Sequence, residues 1–98
     1  MRFRDTRQQL LYARNAEEIY RLLSEALSGL SPRELAALPP ECRDALQSVH
    51  HIHSAAVTCL HHDLKHRTDP DVGELVRQVA EMYASASVRL SHIEHQRA

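Results

Sequence analysis

Tryptophan is absent and phenylalanine occurs once beside three tyrosines, so the interior must be built from aliphatic side chains and alanine. That favours helices meeting along coiled-coil-like seams over a sheet sandwich. Only two glycines occur, Gly29 and Gly73. A phosphate-cradling loop needs several glycines close together, and a nucleophile elbow needs glycine on both sides of a serine, so both are excluded. Charge of one sign is lacking too. The formal net charge is −1, which leaves no global basic field to draw nucleic acid or an anionic membrane. The longest uninterrupted aliphatic stretch is Leu35-Ala36-Ala37-Leu38, far short of a membrane span. Arg2 and Arg4 are followed by polar residues 5–9, so no secretory leader is read there, and a cytoplasmic, bacterial-type protein is expected.

Long amphipathic stripes fill the rest. Residues 1–98 make one domain, and a domain this short buries only about 60–70% of the surface its unfolded chain exposes. Tyr12, Ala16, Ile19, Tyr20, Leu23, Ala26, Leu27 and Leu30 recur at steps of three and four, the signature of one buried helix face. Asp5 with Gln8 reads as a capping box opening this helix, and Gly29 as a left-handed cap closing it. Ser31-Pro32-Arg33-Glu34 restarts helix at once, and Pro39-Pro40 stops it. A stripe from Cys42 through Ile52 and Cys59 to Leu64 follows, and after an Asp69-Pro70 cap another runs from Val72 through Val79 and Met82 to Ile93. The expected fold is all-α: an up-down bundle of three long helices, 6–28, 40–66 and 70–96, with one short helix between the first and second. Ile19, Leu23, Val49, Ile52, Ala56, Val79, Met82 and Ala86 are the expected common core.

Two short stretches resemble DNA-binding regulators. Leu30-Ser31-Pro32-Arg33-Glu34-Leu35 resembles the opening of the helix-turn-helix domain in quorum-sensing-type response regulators. The stretch 38–46, from Leu38-Pro39-Pro40 to Ala45-Leu46, resembles the start of the promoter −35-reading region of bacterial sigma factors. Both resemblances imply a short turn and then a basic recognition helix. The continuation Gln47-Ser48-Val49-His50-His51-Ile52-His53 instead reads as one unbroken helix, so no nucleic-acid partner is expected.

Histidine is the anomaly, with His50, His51, His53, His61, His62, His66, His92 and His95. Reversal of the chain near Asp69-Pro70 would set His92 and His95 beside His50 and His53, a conceivable metal site. His62 and His66, one turn apart, could also chelate. A histidine-based metal-binding or pH-responsive protein is thus the runner-up reading, and a DNA-linked regulator the next. The leading expectation assigns no metal and no cofactor, because the zinc-peptidase and di-iron helix patterns are missing. Cys42 and Cys59 lie seventeen residues apart. On one straight helix they would stand roughly 25 Å apart, so the expectation is two reduced, buried thiols. No catalytic residue is assigned and no enzyme is expected. The leading expectation is a non-catalytic interaction or accessory/regulatory module acting as a homodimer. Its interface candidates are Leu11 and Leu22, off the main stripe of the first helix, and the small-residue ridge Ala80, Ala84, Ser87 and Ser91.

Overall fold

A computed structural model of the chain describes residues 3–66 and 70–97, with side chains at 41, 60–66, 70–72 and 97 left aside. The expected Asp69 cap, the histidines at 61, 62 and 66, and Leu60, Leu64 and Val72 of the stripes therefore lie outside what is described. The described chain is all-α, about 85% helical, and no strand occurs among the described residues. The helices are α1 (Arg4–Leu11), α2 (Ala16–Ser28), α3 (Pro32–Ala37), α4 (Pro40–Arg43), α5 (Val49–His66) and α6 (Pro70–Arg97), with a 3₁₀ turn at Ala45–Gln47 between α4 and α5.

Two of the three expected long helices are broken. The stretch expected as helix 6–28 opens at Tyr12–Asn15. Asn15 takes an extended backbone, its side chain accepts from the Glu18 N–H at 2.9 Å, and the Glu18 carboxylate accepts from the Arg14 N–H at 3.1 Å. Those bonds satisfy donors that a helix start leaves unpaired. The stretch expected as helix 40–66 opens at Asp44–Ser48, where Ser48 is extended and its side chain meets the His51 N–H and ring at the start of α5. Helix α3 forms as expected, with the reciprocal Ser31–Glu34 capping box. Other end signals differ. Helix α1 starts after Phe3 without a side-chain cap, so Asp5 and Gln8 do not open it. Gly29 is right-handed, at φ −79, and its N–H bonds the Ala26 carbonyl in a tightened last turn; no left-handed residue closes α2.

The core gathers Leu10, Ile19, Leu23, Leu38, Ile52, Val79, Met82, Tyr83 and Leu90, all fully or almost fully buried. The expected core residues Ala56 and Ala86 join them, and Val49 packs at the edge. Helix α6 is the frame. It lies antiparallel to α5, with the His53 Nδ1 and Ser87 Oγ 2.5 Å apart, and parallel to α1, with Arg7 donating to Glu81 at 3.1 Å. It also fastens both breaks. The Arg89 Nε donates to the Ala13 carbonyl at 2.7 Å, and the Tyr83 hydroxyl donates to the Cys42 carbonyl at 2.7 Å. Carbonyls at a helix end have no helical partner, so each bond satisfies a group that the break exposes.

The second break also reverses the expectation for the cysteines. Because the chain turns at Asp44–Ser48, α4 folds back on α5 instead of extending it. Cys42 and Cys59 come to a Cα separation of 6.5 Å, inside the span a disulfide requires, and they are joined as one. Both are fully buried, and no free cysteine remains. The pair pins α4 against the middle of α5.

Candidate functional site

Among the described residues no three His, Cys, Asp or Glu side chains come together to hold an ion. The proposed quartet is dispersed: His53 is engaged with Ser87, His92 lies 3.3 Å from the Gln96 amide, and His50 and His95 are exposed. The His53–Ser87 contact resembles a base–nucleophile pair in its atoms alone. It bridges two packed helices, and neither residue lines the clefts beside α1 described below. The contact joins α5 to α6.

The expected unbroken helix through Gln47–His53 is interrupted, and the exposed face of α5 within 49–58 offers His50, His51, Ser54 and Val57 and no Lys or Arg. Lys and Arg supply most of the electrostatic attraction to a phosphate backbone.

An exposed apolar face is present where α1 lies along α6. Leu11 is 47% exposed and Val88 65% exposed, and they stand together at its centre. Each borders two shallow hollows of about 370 and 340 Å³. The first is completed by Ser91, His92 and His95, toward the end of α6; the second by Arg7, Glu81, Ala84 and Ser85, a turn or two earlier. A ridge of two large aliphatic side chains thus separates a histidine-lined hollow from one lined by an ion pair. The Arg7 guanidinium is directed by Glu81, and its Nε is shielded from solvent without an acceptor.

The expected interface residues divide accordingly. Leu11, Ala84 and Ser91 belong to this face. Leu22 and Ala80 are inside the core, 6% and 0% exposed. Ser87 is turned to His53. Leu22 stands three residues after Ile19 and one before Leu23, on the flank of the same face, and the core is wide enough there to bury it. Val88 was missed by sequence reasoning. Its signal is a large β-branched residue four after Ala84 and three before Ser91, in the middle of the small ridge.

A second cleft lies between α1 and α2, lined by Gln8, Gln9, Tyr12, Glu18, Arg21, Leu22 and Glu25. Tyr12 is 80% exposed there, and apart from Leu22 the other lining side chains are polar, with Arg21 and Glu25 paired at 3.2 Å. Among the described residues no helix is long and apolar enough to cross a membrane. The chain matches no family model, no curated protein and no solved structure.

Proposed function

We propose that this chain is a non-catalytic protein–protein interaction module, accessory or regulatory in role, that acts as a homodimer. The observation that carries the reading is the pairing of Leu11 and Val88 in the open on two helices that are otherwise locked together. Arg7–Glu81 and Arg89–Ala13 hold α1 against α6 on either side of the pair. A rigid frame displaying adjacent large apolar groups is suited to docking, because little ordering entropy is lost when it binds. The small core supports the same reading, since a 98-residue chain gains proportionally more from covering an apolar face than a larger domain does. Size-exclusion chromatography with light scattering tests it. The expected mass at high micromolar concentration is twice the chain's 11.2 kDa. The melting temperature should also rise with protein concentration, as mass action requires. A mass of one chain across that range would refute the homodimer.

A further inference from the structure

We infer that the two copies meet through α6 itself, antiparallel, on a two-fold axis passing beside Val88. This rests on the self-association proposed above and adds its geometry. The outward stripe of α6 reads Glu81, Ala84, Ser85, Val88, Ser91, His92 and His95, with steps of three and four that keep it on one side of the helix. Centred on Val88, it is complementary to its own reverse. Seven residues before the centre stands a carboxylate, Glu81, and seven residues after it an imidazole, His95. Seven residues are two turns, about 10 Å. An antiparallel copy therefore places Glu81 against the partner's His95, and His95 against the partner's Glu81. Ser85 then faces the partner's Ser91 and Val88 faces the partner's Val88. Parallel pairing would instead set like against like, carboxylate on carboxylate.

Shape agrees with charge. The Leu11–Val88 ridge is flanked by two hollows of similar volume, one on the Glu81 side and one on the His95 side. A two-fold rotation beside Val88 sets the Glu81-side hollow of each copy against the His95-side hollow of the other. The small side chains Ala84, Ser85 and Ser91 allow helix axes to approach to about 8 Å. Because the contact is isologous it closes at two copies and does not propagate. The face is smaller than the roughly 20–30 residues per side of a standard interface, so a reversible, micromolar dimer is expected.

The test uses the full chain. Val88→Cys places a thiol at the axis, where mild oxidation should join two chains rapidly, the native Cys42–Cys59 pair being already bonded. Val57→Cys, on the exposed face of α5, is the control and should cross-link far more slowly. His95→Glu brings a carboxylate against the partner's Glu81 and should raise the dimer Kd about tenfold, with the circular dichroism spectrum and monomer melting unchanged. A dimer in which Val88→Cys links no faster than Val57→Cys overturns the axis while leaving self-association intact. Rapid Val88→Cys linkage with no response to His95→Glu overturns the antiparallel register. A chain that stays monomeric to several hundred micromolar overturns both this geometry and the homodimer itself.

Discussion

Replacing Tyr83 by Phe removes one oxygen atom from the centre of the molecule. The ring is fully buried, and its hydroxyl donates to the Cys42 carbonyl at 2.7 Å, where α4 ends. The phenylalanine ring fills nearly the same space, so packing is retained and the change is confined to the hydrogen bond. A typical intramolecular hydrogen bond contributes about 1 kcal/mol net, and a buried carbonyl left without a donor costs about 1–3 kcal/mol. The expected loss is about 2 kcal/mol. For a domain of this length, each kcal/mol moves the melting temperature by roughly 4–8 °C, so Tyr83→Phe should melt roughly 10 °C lower. Differential scanning calorimetry or denaturant titration measures it, with Tyr12→Phe, at an 80% exposed position, as the control. There is a second signature. Burial pushes the Tyr83 phenol well above its ordinary ionisation range near 10. Below about pH 10 the phenol is neutral in both the folded and the unfolded chain, and its contribution is complete. Above that the unfolded chain releases a proton that the folded one retains, so stability falls as pH rises toward the folded value. Tyr83→Phe should flatten this alkaline decline. A variant melting within a degree or two of the parent would mean that the carbonyl is served some other way and that α6 does not fasten the second break.

Reducing the Cys42–Cys59 disulfide should destabilise the protein by about 3 kcal/mol, the chain-entropy value for a closed loop of this length. Thiol titration under denaturing, non-reducing conditions should find no free thiol, and two free thiols in that assay would contradict the cross-link. Asn15→Ala should cost about 1 kcal/mol by uncapping α2, measurable by urea unfolding; no change would mean that α1 and α2 run on as one helix. Gly29→Ala should be neutral or stabilising by up to about 1 kcal/mol, because the backbone is right-handed and an added Cβ would meet the Ala26 carbonyl oxygen at an ordinary 3.5 Å. A loss of more than 1 kcal/mol would instead favour a left-handed cap at that position.

Periodicity made the all-α class and most of the core legible, because an apolar stripe reports which side of a helix is buried whatever lies at its ends. Ile19, Leu23, Ile52, Val79, Met82 and Ala86 were found that way, and all are in the core. The same stripe concealed the breaks. Tyr12, Ala16 and Ile19 keep helical spacing across residues 12–15, so nothing in the apolar pattern marks the interruption. The polar signal was present: Asn15 followed three residues later by Glu18 repeats the logic of Ser31 and Glu34, which was recognised because a proline stood beside it. The cysteine error has one cause. A separation computed along a straight helix is correct only if the helix is straight, and Asp44–Ser48 bends it. At the outer face, Leu11, Ala84 and Ser91 were legible as departures from the stripe, whereas Leu22 and Ala80, departures too, are buried because the apolar faces of α2 and α6 are wider than the stripe alone shows.

Helix α6 emerges from the ribosome after every element it fastens. Arg89 is made 76 residues after the carbonyl it holds at Ala13, and Tyr83 is made 41 residues after Cys42. Until Tyr83 and Arg89 have been made the two bends lack these fasteners, while the uninterrupted stripes across them favour longer, straighter helices. The bent forms are therefore settled late, once the growing chain has passed Arg89, and pairings at such sequence separations are slow to form. A truncation before Arg89 would lose more than one helix's worth of structure, because the bend geometry of the earlier segments is written in the last one.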